Sequence, residues 1–248
     1  MREVLWKPIA IRGVTFPNRI LMPSMTLFYT TDRKLDERYA RFWERRAEGG
    51  VGCIVVGPVG IDLEGSGMMT LGMDSDSVVP EFARLAERLH SHGTRVIAQL
   101  FHSGRYAMSM LTGTQPIAPS AVTSDFSKET PRAMTLEDIA RTQDSFAAAA
   151  RRAREAGMDG VEVIASAGYL VSQFLSPVTN LRDDAYGGGL EARTLYAREV
   201  VAKVRAAVGP GMVVAVRVAG NDFVAGSHDS AASAKVCQAL VESGGFRS

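Results

Sequence analysis

Short apolar, β-branched stretches alternate along this chain with longer stretches of helical periodicity, and this order limits the folds that the chain can adopt. One of the short stretches, 51–57, is an uninterrupted apolar run. Such runs are typical of parallel strands that are covered on both faces, and parallel neighbours need a crossover connection, which is usually a helix. The pattern therefore predicts an α/β fold built from repeated strand–helix units.

The alternation predicts about five strand–helix units within the 248 residues. The predicted strands cover 19–25, 51–57, 95–102, 161–165 and 213–218. The predicted helices cover 36–48, 80–92, 135–157, 190–208 and 230–242. A TIM (β/α)₈ barrel contains eight such units, so the sequence predicts an incomplete barrel of this type. We expect residues 1–248 to form the N-terminal portion of one barrel, with no second domain, because a sixth strand should begin at the chain's end.

The composition argues against several classes of function. With 28 basic and 27 acidic residues and no block of Lys or Arg, the chain lacks the charge pattern of a nucleic-acid-binding protein or a polybasic membrane anchor. No apolar run reaches membrane-spanning length, and residues 1–10 lack the pattern of a signal peptide. The two cysteines, Cys53 and Cys237, are far apart, which favours a reduced, cytoplasmic protein without a disulfide or a metal site.

Polar residues near the predicted strand ends are candidates for chemistry, because the active site of a parallel α/β barrel lies at the carboxyl ends of its strands. Gln99 in the third strand is either a hydrogen-bonded core residue or a site residue. Arg217 in the fifth strand needs an anionic partner, which is a bound anion, an electron-rich cofactor or a carboxylate from another strand. Tyr169 begins a predicted loop, so its hydroxyl either faces the site or packs. The long segment 103–131 is expected to cover this site.

Seven short motifs occur in a fixed order across nearly the whole chain. They are NRILMPSMT (18–26), QLFHSGR (99–105), APS (118–120), DGVEV (159–163), GYLVSQFLSP (168–177), NLR (180–182) and YGG (186–188). One such motif would be a weak signal, but the ordered set is specific. It resembles the old yellow enzyme family of FMN-dependent TIM-barrel oxidoreductases, in particular the branch that includes 2,4-dienoyl-CoA reductase and trimethylamine dehydrogenase.

The resemblance implies an FMN site and a hydride-transfer reaction. The residues that would line the flavin are Ser24, Met25, Thr26, Gly57, Gln99 and Arg217. The Gln99 amide can donate and accept at the pyrimidine edge of a flavin, and Arg217 would favour the anionic reduced flavin. In the family, NADH or NADPH reduces the flavin, which then reduces an electron-poor C=C bond. Tyr169 matches the family's proton donor, and an ordinary tyrosine pKa of about 10 keeps such a hydroxyl protonated at neutral pH.

Two departures from the family's pattern narrow the expected activity. Related ene-reductases hold the substrate carbonyl with His-x-x-His or His-x-x-Asn, whereas this chain has Ile164 and Ala167 at those positions. The change argues against a general ene-reductase and fits the dienoyl-CoA-reductase-like branch, in which a later histidine assists the tyrosine. That histidine, the FMN phosphate loops, an iron–sulfur cluster and an FAD domain would all require a longer chain.

The expected substrate is therefore a small unsaturated molecule such as an acyl-CoA; no nucleic acid or membrane partner is expected, and a homo-oligomer is left open. The alternative is a truncated or degenerate flavin barrel without catalytic activity. An open five-stranded sheet would expose its last strand as an unpaired edge, so we expect this chain alone to be poorly stable and to bind FMN weakly or not at all.

Overall fold

The computed structural model describes residues 2–243 as one strand–helix alternation. The strands are β1 (Ile9–Ile11), β2 (Val14–Phe16), β3 (Leu21–Met22), β4 (Cys53–Gly60), β5 (Leu71–Gly72), β6 (Arg95–Phe101), β7 (Ile117–Ala118), β8 (Arg132–Ala133), β9 (Gly160–Ala165) and β10 (Val213–Val218). The helices are α1 (Arg2–Leu5), α2 (Glu37–Glu48), α3 (Leu63–Ser66), α4 (Val79–His90), α5 (Ser109–Thr112), α6 (Leu136–Glu155), α7 (Leu170–Leu175), α8 (Leu190–Val208) and α9 (Ser230–Ser243), with short 3₁₀ turns at Asp76–Val78 and Gly104–Tyr106.

The main sheet is parallel and has the order β10-β9-β6-β4-β3, with β5 added beside β4. It curls like part of a barrel, which confirms the predicted fold class. Within the described residues, β10 forms one edge of this sheet, and its last four residues are only half-buried. Strand β4 is buried along its whole length, as the uninterrupted apolar run 51–57 predicted, and β9 is buried along its whole length too.

Side chains alternate between the two faces of each strand, and the two faces have different packing partners. On the convex face, residues such as Ile54 and Ala98 pack under the helices in the larger core, which includes Trp43 and Phe146. On the concave face, a smaller cluster forms around Phe16 of the β1–β2 hairpin, near the amino ends of the strands. The members of that cluster are Phe16, Cys53, Val55, Ile97 and Val213.

Most predicted elements have their expected positions, and the differences have local causes. Helix α8 and strand β10 have the predicted bounds. The predicted strand 19–25 is reduced to Leu21–Met22, because Pro23 has no N–H with which to continue the ladder. Thr135 and Asp138 form the capping box that begins α6. No helix within residues 2–243 is long and apolar enough to cross a membrane.

Glu44 joins two helices of the outer layer, α2 and α4. Its carboxylate accepts hydrogen bonds from Arg88 Nε at 2.6 Å and Nη2 at 2.7 Å, and from Arg41 Nη1 at 2.6 Å. These bonds, above all those from Arg88, lower the pKa of Glu44 to about 2. The folded state therefore favours the ionised carboxylate, and the stability of this helix pair should depend on pH.

We expect Glu44→Gln to make the thermal stability of the protein less dependent on pH in the acid range. A carboxyl group whose pKa is lowered on folding stabilises the fold above its unfolded value of 4.5, and this contribution is lost as the pH falls toward about 2. Thermal unfolding measured between about pH 5 and pH 2 should therefore show a smaller fall in Tm for the variant than for the wild type. Glu48→Gln, which removes an exposed carboxylate from the same helix, is the control. Parallel profiles for Glu44→Gln and the wild type would contradict this prediction.

Candidate active site

Three polar side chains from neighbouring strands meet on the concave face, above the cluster around Phe16. Gln99 lies two residues beyond Ile97 and Arg217 four beyond Val213, so strand alternation puts both on that face. Glu162 lies opposite Gln99 in the β6–β9 register. Gln99 Nε2 donates a hydrogen bond to Glu162 Oε1 at 2.6 Å, and Arg217 Nε donates to the same oxygen at 3.2 Å.

The structure supplies one of the partners that the sequence left open for Arg217. Its partner in the structure is a carboxylate from another strand, Glu162 of β9. The guanidinium is not fully occupied by this pair, since the side chain of Arg217 is 38% exposed while that of Glu162 is 11% exposed. Gln99 is 3% exposed and hydrogen-bonded, yet it lies in the same cluster at the open end of the sheet.

Gly57 lies where β4 departs from regular pairing with β6, between Val56 and Val59. Its φ of +119° is a conformation that side-chain-bearing residues rarely adopt. A Cβ atom there would lie 2.7 Å from the backbone nitrogen of Val59 and 3.2 Å from the backbone oxygen of Gln99. Glycine is therefore required at this position by the packing of the chain's own backbone.

The segment after β3 brings Ser24, Met25 and Thr26 to the same end of the sheet. The Oγ atom of Ser24 is buried and has no hydrogen-bond partner among the described residues. Met25 is 46% exposed, and Thr26 is exposed at the wall of a cavity. A buried hydroxyl without a partner normally indicates a missing ligand or water.

These residues fit the group that the resemblance implies. A flavin ring presents carbonyl oxygens, ring nitrogens and one N–H at its polar edge, and the chain offers an unpaired hydroxyl, an amide and a partly free guanidinium. Gly57 belongs to this group through the resemblance, because the space that its side chain would occupy is filled by the chain's own backbone. The site assignments of Ser24, Met25, Thr26, Gly57, Gln99 and Arg217 stay predictions.

A cavity of about 430 Å³ opens beside Tyr169 and is lined mainly by apolar and aromatic side chains. Tyr169 packs edge-on against Phe101 with the ring centroids 4.6 Å apart, and the ring of Tyr106 follows at 6.3 Å. No described residue makes a hydrogen bond to the Tyr169 hydroxyl, which is thus available to a ligand. Burial, followed by the neighbouring Tyr106, raises the pKa of Tyr169, so its hydroxyl holds its proton more firmly than a free tyrosine does.

The local structure around Tyr169 differs from the loop that the sequence predicted. Tyr169 is the N-cap residue of the short helix α7. Gly168 has a φ of +77°, and any Cβ there would collide with the Tyr106 hydroxyl. The tight Ala167–Gly168 turn therefore aims Tyr169 at the cavity and lets Tyr106 approach closely.

Related ene-reductases hold the substrate carbonyl with two polar side chains, but the two matching positions of this chain carry none. Ile164 is buried on β9 at 6% exposure, and Ala167 forms part of the cavity wall. A second cavity of about 330 Å³ adjoins the first, because Tyr106 and Ala167 line both. Its lining is more polar and includes Arg105, Gln173 and Asp222.

Glu162 and Tyr106 are the site residues that sequence reasoning missed. The signal for Glu162 was present, since an acidic residue between two valines of an apolar strand needs a partner in the same way as Arg217 does. No comparable signal existed for Tyr106, because it lies in the long segment after β6.

A sequence profile of the NADH:flavin oxidoreductase / NADH oxidase family matches residues 4–244. The chain belongs to this family. The predicted old yellow enzyme relationship is thus confirmed, as are FMN and a reduced nicotinamide as the family's cofactors.

Several relatives place the chain within this flavin oxidoreductase family. It is 48% identical to a metal reductase of Desulforamulus reducens, over 98% of this chain and 36% of the relative. It superposes on 2-naphthoyl-CoA reductase bound to 2-naphthoyl-CoA with a TM-score of 0.93 and 28% identity, over 98% of this chain and 39% of the other. An old yellow enzyme homologue from Zymomonas mobilis gives a TM-score of 0.85 and 34% identity, over 95% and 70%. The chain spans about a third of the length of the first relatives that it matches.

Proposed function

We propose that this chain forms the flavin-facing and substrate-facing part of an FMN-dependent, NAD(P)H-linked oxidoreductase that reduces activated C=C bonds. The observation that carries the proposal is the Tyr169 hydroxyl, which is unpartnered among the described residues and lies beside an apolar cavity. Phe101, the last residue of β6, lines this cavity, and Gln99 of the Gln99–Glu162–Arg217 cluster lies two residues before it on the same strand. Such a reduction needs an acid, an apolar pocket and a polar cluster that can hold a flavin, all at one end of a parallel sheet.

Bound FMN would supply the hydride transfer, from the reduced nicotinamide to one carbon of the substrate double bond. Ser24, Gln99 and Arg217 would hold its polar edge, and Met25, Thr26 and Gly57 would contact the ring. The Nε2 atom of Gln99 is engaged by Glu162, so its Oε1 atom remains to accept a hydrogen bond.

Tyr169 would donate the proton that completes the reduction, at the carbon next to the one that receives hydride. The raised pKa of Tyr169 keeps the hydroxyl protonated over the neutral range. Phe101 and Tyr106 hold the ring from two sides, which limits the orientations of the hydroxyl. The apolar wall of the cavity excludes water from the reacting carbon.

The substrate that we propose is an unsaturated acyl thioester, as in the 2,4-dienoyl-CoA-reductase-like branch. Ile164 and Ala167 cannot donate hydrogen bonds to the oxygen of a small enone. The two adjoining cavities suit a molecule with an apolar unsaturated end and a polar tail, because one is lined mainly by apolar side chains and the other by a larger share of polar ones. The likeness to an enzyme complexed with 2-naphthoyl-CoA supports an acyl-CoA.

The full protein mixed with FMN should retain the flavin through gel filtration, and a reduced nicotinamide should bleach its visible band. The band should return faster with an unsaturated acyl-CoA than with a small cyclic enone that lacks the polar tail. Failure to retain flavin would overturn the proposal and favour a barrel remnant without activity. Retained flavin with a preference for the enone would overturn only the acyl thioester assignment.

A further inference from the structure

Glu162 lies between the two residues expected to hold the polar edge of the flavin. A single carboxylate oxygen, Oε1, accepts from both the Gln99 amide and the Arg217 guanidinium. The carboxylate is well shielded, since only 11% of its side chain is exposed. Taking such a group out of water is costly unless it is paired and hydrogen-bonded, and these two bonds meet that requirement.

The pairing determines which atoms the two partners can offer to a ligand. Because Nε2 of Gln99 donates one hydrogen to Glu162, the amide is held in one orientation, with its Oε1 acceptor and its second N–H left for a ligand. Because Nε of Arg217 is used in the same way, the two terminal nitrogens of the guanidinium remain. Without Glu162, the amide could rotate by half a turn and the arginine could adopt other rotamers.

The pairing also changes the charge that a ligand would meet. Arg217 alone would present a full positive charge at this end of the sheet. With Glu162 in contact, the pair is close to neutral, and the field at a neighbouring group is weaker than that of the arginine alone. A reduced flavin carries negative charge. By weakening the positive field of Arg217, Glu162 would therefore shift the equilibrium away from the reduced and toward the oxidised cofactor.

We propose that Glu162 is a positioning residue that orients Gln99 and Arg217 and lowers the reduction potential of the bound flavin by offsetting the charge of Arg217. The inference rests on the proposed function, since it requires FMN at this site. It extends that function by assigning a role to a third residue, which does not itself have to touch the flavin.

The test is the midpoint potential of FMN bound to the full protein and to three variants, measured by equilibration with a redox dye. In Glu162→Gln the side chain keeps its size and loses its charge, so the potential should rise. We expect a shift of about tenfold or more in the reduction equilibrium, equivalent to about 30 mV for a two-electron couple. Glu162→Asp keeps the charge and should restore most of the wild-type potential.

Glu199→Gln is the matched control, because Glu199 also accepts a glutamine amide, from Gln143 at 2.7 Å, but lies in the helical layer. Thermal unfolding of each protein checks that the fold is retained. An unchanged potential in Glu162→Gln, or an equal shift in Glu199→Gln, would overturn the inference while leaving the proposed function intact. If the wild-type protein does not bind FMN, the proposed function itself is wrong.

Discussion

Tyr169→Phe is expected to slow the reduction of the unsaturated substrate by about 10²–10⁴-fold, the usual contribution of a positioned general acid. Reduction of the bound flavin by the nicotinamide should stay close to its wild-type rate, because that step needs no proton from the tyrosine. The ring remains in the variant, so the edge-on contact with Phe101 and the cavity wall are preserved. Rapid-mixing measurements of the two half-reactions, followed through the visible flavin band, separate the effects.

The pH dependence gives an independent check of the same role. Burial and the neighbouring Tyr106 raise the pKa of Tyr169. The pH at which the rate of substrate reduction falls should therefore lie above the ordinary tyrosine value of 10.0. This decrease at high pH should be absent from the residual activity of Tyr169→Phe. Tyr186→Phe, the same change at a hydroxyl that binds Glu199 in the helical layer, is the control. An equal fall in both half-reactions of Tyr169→Phe would show that the residue is not the proton donor.

The sequence predicts the elements of this fold where one periodicity runs without interruption. Helix α8 and strand β10 have their predicted bounds because each shows a single pattern between clear stops, such as Gly209 after the helix. The first strand was predicted too long because the motif around Pro23 is apolar but leaves the sheet. Helix α7 was missed since a six-residue helix is too short to show a helical period.

The contacts of the candidate site were harder to predict than its residues. Gln99 and Glu162 are 63 positions apart, and their hydrogen bond depends on the register between β6 and β9. Register comes from tertiary packing, so a charged residue within a strand reveals its need for a partner without identifying the partner. Tyr106 could not be predicted for the same reason, because its approach to Tyr169 depends on the turn at Gly168.

Arg217→Ala is expected to weaken FMN binding by about 10- to 100-fold, because a hydrogen bond to a charged group contributes about 1.5–3 kcal/mol. The loss has a second source in this structure, since the substitution leaves the shielded carboxylate of Glu162 without its cation. That carboxylate would then repel the electron-rich edge of the flavin. Fluorescence titration of the full protein with FMN gives the Kd, and Arg45→Ala, at an exposed arginine on α2, is the control.

The double variant Arg217→Ala/Glu162→Gln separates the two sources of the loss. If the uncompensated carboxylate adds to the effect of the missing guanidinium, the double variant should bind FMN more tightly than Arg217→Ala alone. Contacting residues of this kind are expected to be non-additive, and the size of the recovery measures their coupling. Additive losses would mean that Glu162 acts independently of Arg217, and an unchanged Kd in Arg217→Ala would remove the arginine from the flavin site. The arginine and the carboxylate therefore have to be treated as one unit, whose charge balance and geometry together determine how tightly the flavin is held.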